Sequence, residues 1–331
     1  MNKVTLLIRF FVVIILIALN NFAAFADDVL ALFTKKINFD EIVLKKSSQD
    51  VGIKFEIKEN VVHIYFESPD GYKKKFETIL TEKLHSYDVG SIGKTPKALA
   101  GLSNNYLIIV DGTTGKKNEM KFDPVRDKKD ARITISKFIN CSLKIGDVDG
   151  DSENEIVVTE VRESLGRGEI KRMDIVVYKF LGESGLQRIA EKKLKYSNVG
   201  SLELLKVNKN TVIVTEEGQE TEGGFVVGYL MNTSNMSLEQ VFSGSLSSRF
   251  RRGKVLIPLI RKKYDIVFAD DDGEIKLFGL QNNKLVQFGK TEHIPIRILK
   301  IHRIIEIEKY DPTEKGYIFQ TDAGVYILKE N

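Results

Sequence analysis

Six stretches of this chain repeat one pattern, and an internal repeat constrains a fold more than any single motif can. Each holds an alternating strand, a turn, a β-branched strand, a polar hairpin that often contains Asp-Gly, and another alternating strand. They begin near Val51, near Ala98, at Ser142, at Ser201, near Lys254 and at Ile298. The third and fourth are the most alike: SLKIGDVD stands against SLELLKVN, and EIVVTE against TVIVTE. Such a unit cannot bury its apolar surface alone, whereas stacked neighbours build a continuous core.

Intervals of about 40 to 60 residues suit four strands per unit, the geometry of a propeller blade. The expected fold is all-β: a single β-propeller over residues 27–331, with six four-stranded blades. Candidate fourth strands are 83–88, 131–138, 186–194, 238–244 and 284–291. The sixth unit runs out at Asn331, while residues 39–45 (FDEIVLK) alternate like a strand and belong to no unit. Pairing that orphan with the last blade closes the ring and removes two open edges, which otherwise invite aggregation. Five or seven blades also fit so divergent a repeat. No stretch reads as a long amphipathic helix, and no linker divides the chain.

The segment 145–158, IGDVDGDSENEIVV, sets Asp147, Asp149, Asp151 and Glu155 at positions one, three, five and nine of one loop. Carboxylates this dense repel each other unless a cation lies among them, and hard oxygen ligands from a tight loop suit Ca²⁺. D-x-D-x-D-x-x-x-E before a short apolar strand resembles the calcium loop of FG-GAP and VCBS repeats, found in integrin-alpha-like propellers and in exported bacterial proteins. The resemblance implies a loop between the first two strands of a blade, with the backbone carbonyl of Glu153 as a further ligand. Two residues depart from that pattern: Ser152 stands where Gly is usual, and Glu155 where Asp is usual. A solvated acidic turn without metal is the alternative.

In the other units the equivalent loops are expected at 57–60, 102–105, 207–210 and 260–263, where carboxylates are sparse and lysine is frequent. One ion per chain is therefore expected. Asp270-Asp271-Asp272-Gly273 falls later in its unit, where Asp-Gly reads as a hairpin turn that needs positive φ.

The N-terminus reads as an export signal. Lys3 and Arg9 precede or flank the apolar run 10–19, and Ala24-Phe25-Ala26 gives an A-x-A cleavage site. That run is short of the roughly 20 residues a membrane span needs, so residues 1–26 are expected to be removed. An uncleaved anchor is the alternative. The expected location is the periplasm or the cell exterior, with no stable membrane span after cleavage.

Lys and Arg total 50 against 46 Asp and Glu, a balance that argues against nucleic acid as partner. The basic run 249–254 reads as a solvated loop between units, though it could also meet an anionic partner. Cys141 has no second cysteine to join and lies in an apolar stretch, so a buried inert thiol is expected. Trp is absent, which weakens a sugar-stacking role, although Tyr and Phe can substitute.

Catalytic signatures are missing. His63, His85, His293 and His302 form no zinc motif, and no nucleophile elbow or phosphate loop appears. His63 lies within a strand pattern, and the acidic run 216–224 (EEGQETEGG) reads as a solvated hairpin. The expected function is a non-enzymatic binding or scaffolding module with one structural Ca²⁺, meeting a protein, a glycan or another envelope component through its loops. The alternative is a propeller enzyme with an active site at the central channel.

Overall fold

β-Branched and aromatic residues fill the runs between the turns, and their strand preference is realised along the chain. The computed structural model describes residues 31–33, 52–166, 171–194, 198–207, 209–219, 223–245, 255–258, 266–269, 275–281, 284–290, 301–306, 316–321 and 324–329. Among these the chain is all-β, apart from one 3-10 turn at Gly182–Ser184. No helix of the described residues is long and apolar enough to cross a membrane.

Strand β1 (Ala31–Phe33) comes first among the described residues. A meander follows of β2 (Ile53–Lys58), β3 (Val61–Ser68) and β4 (Gly71–Ile79). The next is β5 (Ser86–Ile92), β6 (Thr95–Leu102), β7 (Tyr106–Asp111) and β8 (Lys117–Lys121). A ribbon of β9 (Val125–Arg126) and β10 (Thr134–Ile135) leads to β11 (Leu143–Gly146), β12 (Glu155–Ser164), β13 (Lys171–Phe180) and β14 (Leu186–Lys193). Then come β15 (Asn198–Val207), β16 (Asn210–Gln219), β17 (Gly223–Asn232) and β18 (Ser237–Ser245). The chain continues through β19 (Val255–Pro258), β20 (Ile266–Ala269), β21 (Ile275–Gln281) and β22 (Lys284–Lys290). It ends with β23 (Ile301–Glu306), β24 (Gly316–Thr321) and β25 (Gly324–Lys329).

Each meander pairs its strands in chain order, and a single parallel pair, Glu191 with Ser237, joins β14 to β18. The chain divides into two compact units. The larger holds Gln49–Ala269 and Lys276–Phe288. The smaller contains β1 and β23–β25, with β1 antiparallel to β25 from Ala31 opposite Lys329 to Phe33 opposite Ile327.

In the larger unit both faces of a meander are covered. Ala98, Ala100 and Leu102 on one face of β6 join a core with Phe138, Ile156, Val158, Ile175, Val177 and Tyr229. Leu99 on the opposite face joins Ile53, Val62 and Ile64 from β2 and β3. Burial on two faces explains why β7 (LIIV) and β12 (IVV) read as continuous apolar runs and not as clean alternation.

Several sequence expectations are corrected here. The second meander starts one strand earlier than the repeat suggests, because residues 83–88 run into β5, its first strand, and do not form a fourth strand of the meander before. The signal was weak because β5 contains Gly90, and glycine in a strand reads as a break. A Cβ there would lie 3.1 Å from the Ile145 side chain, so glycine lets β11 approach. The fourth strand of that meander is Lys117–Lys121, and residues 131–138 form turns with only Thr134–Ile135 in strand. The strand that pairs with the last meander is Ala31–Phe33, whereas the expected 39–45 lies outside the described residues. The candidate fourth strands 186–194, 238–244 and 284–291 coincide with β14, β18 and β22.

Candidate metal centre

The loop between β11 and β12 is pinned at both ends by strand register, with Gly146 opposite Glu155. Inside it, backbone amides aim the carboxylates. Asp147 accepts from Gly150 N (2.7 Å) and Ser152 N (3.2 Å), Asp149 from Asp151 N (3.0 Å), and Asp151 from Glu153 N (2.8 Å). These are Asx-type turns, the local preference of Asp in such spacing. They gather one oxygen each from Asp147, Asp149 and Asp151 within 4.8 Å of one another.

Glu155 and Glu153 stand outside that circle. Glu155 is fully buried; its Oε2 accepts from Val148 N at 3.1 Å, and its Oε1 makes no hydrogen bond. Burial pushes its carboxyl up to about 7, and the charges of Asp149 and Asp151 push the same way. Asp149 is also raised, by burial first and the Asp151 charge next. Asp151 is lowered, chiefly by its hydrogen bond from Lys179. A buried carboxylate oxygen lacking a donor beside three converging aspartates is a donor set for a hard cation. The residues fit Ca²⁺, with the Glu153 carbonyl as the further ligand the resemblance implies.

Neighbouring meanders wedge the loop. Asn154 Nδ2 donates to Ser91 O (3.0 Å) and Ser91 Oγ (2.7 Å) on β5. A Cβ on Gly146 would lie 2.5 Å from Leu204 Cδ1 of β15, so a larger residue where the loop begins would have to push that methyl aside. Ser152 carries φ 71°. Glycine adopts that conformation without Cβ strain, so Ser152→Gly should raise stability by a few tenths to about 1 kcal/mol, net of the extra unfolded-state entropy. Chemical denaturation in chelator measures this, and a loss of stability would show that the Ser hydroxyl matters more than the backbone.

The equivalent loops need one revision. In the second meander the matching turn is Gly93–Lys94, between Ile92 and Thr95, and not 102–105. The Glu59 turn joins β2 to β3, as the repeat suggests. The runs 249–254 and 270–273 lie outside the described residues.

Other candidates take structural places. His63 on β3 sits 3.4 Å from Glu77 Oε2, and burial lowers the pKa of His85, whose ring nitrogen is 3.1 Å from Ser103 O. Cys141 is buried, which pushes its thiol up to about 12 and leaves it inert at neutral pH. The acidic run at 216 is corrected: Glu216 and Glu217 are 0% and 1% exposed on β16. Glu217 accepts from Thr215 Oγ1 and Tyr229 OH, both at 2.7 Å. Sequence reasoning also missed charges on the first strands of successive meanders: Lys144 bonds Glu203 at 2.8 Å, and Asp88 accepts from Ile145 N at 3.0 Å. That set shows only once strand pairing is known.

No protein-family model and no curated protein matches the sequence. Among solved structures the chain is similar to the crystal structure of Saccharomyces cerevisiae Sqt1, with a TM-score of 0.53. The identity is 11%, over 91% of this chain and 74% of that one. The crystal structure of BBS1N in complex with ARL6DN, soaked with mercury, gives a TM-score of 0.49 at 12% identity, over 85% of this chain and 77% of that one. The likeness to Sqt1 shows the fold alone: an all-β, β-propeller-like arrangement.

Proposed function

We propose that this chain is an exported, non-enzymatic propeller of the FG-GAP/VCBS-like kind, a binding or scaffolding module with one structural Ca²⁺. The observation that carries the reading is the cluster of Asp147, Asp149 and Asp151 beside the buried Glu155, whose Oε1 lacks a donor. The ion would fix a loop tied to Ser91 on one side and abutting Leu204 on the other, so its role is to brace adjacent blades. The proposed propeller has six blades, and β1 supplies an outer strand to the last of them by pairing with β25. Its exposed loops then meet a protein or another component of the envelope.

Calorimetry tests the site. Extracellular calcium modules bind with dissociation constants of about 10⁻⁴ to 10⁻³ M, which at roughly millimolar calcium stabilises the fold by about 0.4 to 1.4 kcal/mol. Asp149→Ala should abolish both the binding heat and the thermal response to calcium. Binding needs Glu155 ionised, so affinity should rise with pH and level off above about 7. Without calcium the sign reverses. The folded chain keeps a proton that the unfolded chain releases near 4.5, so stability falls as pH climbs from there to about 7. Absence of calcium binding at millimolar concentration, or binding untouched by Asp149→Ala, would overturn the assignment.

A further inference from the structure

Five acidic residues, Asp147, Asp149, Asp151, Glu153 and Glu155, crowd nine positions of the loop, and among the described residues one cation is paired with them from another strand. That cation is Lys179, near the end of β13. Its neighbour Tyr178 pairs with Ile156, the residue after Glu155, so strand register delivers the lysine to the mouth of the loop. The ammonium bonds Asp151 Oδ2 and lies 3.4 Å from Glu153 Oε2. Its side chain is 23% exposed, so the tip has solvent beside it.

We propose that Lys179 is a tethered cation that competes with the metal for Asp151 and sets the calcium affinity of the loop. The proposal rests on the calcium reading above. A Ca²⁺ shared by Asp147, Asp149 and Asp151 draws on the same Asp151 carboxylate that Lys179 holds, and two cations on one carboxylate repel each other. Binding therefore exchanges one cation for another. The lysine swings toward Glu153 or into solvent. In the ion-free protein it offsets part of the carboxylate repulsion, so the loop keeps its shape in both states. Sequence spacing hides this device, because Lys179 lies well beyond the loop and only β12–β13 pairing brings it back.

The same observations distinguish Lys179 from the other basic groups nearby. Lys144 is committed to Glu203, and Arg188 to Glu160 and Glu191. Among these, Lys179 alone is bonded to a residue of the carboxylate cluster. Hydrogen bonding to Asp151 raises its pKa, so it stays charged throughout the neutral range.

Calcium titration calorimetry on the full chain, with melting curves in calcium and in chelator, tests the idea on wild type, Lys179→Met, Lys179→Gln and Lys179→Arg. Exposed ion pairs are weak, so removing the charge should tighten calcium binding about two- to fivefold. Lys179→Arg keeps the charge and should stay near wild type. The neutral variants should also melt lower in chelator and regain more on adding calcium than wild type does. If wild type binds and the neutral variants bind equally or more weakly, the competition is overturned while the calcium site stands. Wild type that fails to bind at millimolar calcium overturns the calcium reading, and this proposal with it, whatever the neutral variants do.

Discussion

Phe138→Ala should lower the unfolding free energy by about 3 to 5 kcal/mol. Phe138 is fully buried, in a turn that follows the β9–β10 ribbon and not in any strand. Its ring meets Phe122 edge-on, at 5.0 Å between centroids and 74° between planes, and Phe122 in turn meets Tyr178 at 6.1 Å. Edge-to-face pairs of this kind add about 0.5 to 1.5 kcal/mol to the burial itself. The turn cannot collapse freely to fill the gap. Its backbone is tied by Phe138 N to Asn104 O (2.9 Å), by Lys137 N to Asn105 Oδ1 (2.8 Å) and by Val161 N to Lys137 O (2.9 Å). A rigid frame leaves a cavity where a yielding one would not, which places the cost in the upper range for such changes. Urea denaturation gives the number, and a loss under about 1.5 kcal/mol would mean that the wedge relaxes. Phe138→Leu should lose less, since most of the buried volume stays.

The sequence carried the meanders that obey local rules and hid those that do not. The third and fourth meanders were legible because SLKI/SLEL and EIVVTE/TVIVTE mark the same two strands in each, β11–β12 and β15–β16. The second lost its frame because Gly90 and Gly101 sit inside its first two strands, where they serve packing against Ile145 and Leu84. The carboxylate loop was legible because its geometry is local: the backbone-amide hydrogen bonds that aim Asp147, Asp149 and Asp151 each span five residues or fewer. Lys179 was not, since its place depends on register across a hairpin. Buried charge was hidden for a related reason. Glu in a strand reads as a solvated position when one face is assumed to meet water, and here both faces are covered.

Glu160 shows what that covering does, and its removal should rank with Phe138 in effect. EIVVTE and TVIVTE align it with Glu216, and the two are 2% and 0% exposed. Glu160 Oε1 lies 3.1 Å from both Lys137 Nζ and Arg188 Nη2, and Oε2 accepts from Tyr178 OH at 3.1 Å. One carboxylate thus ties the turn before β11 to β13 and β14. Replacing a whole buried ion pair by apolar residues is often harmless, but deleting one partner strands the others and costs about 3 to 5 kcal/mol. The partners differ in how far they suffer. Arg188 keeps Glu191 at 2.8 Å and is 43% exposed, so it escapes to solvent. Among the described residues Lys137 keeps the Val161 carbonyl at 3.0 Å and is 17% exposed, and Tyr178 is buried. Glu160→Ala should therefore fall near the lower end, about 3 kcal/mol. Glu160→Gln retains an acceptor for Tyr178 and should lose markedly less. In a double-mutant cycle, Tyr178→Phe should cost less in the Glu160→Ala background than in wild type, because its hydroxyl has already lost its acceptor. Additive losses in that cycle would show that Glu160 and Tyr178 are not coupled, and that the carboxylate is held by the cations alone.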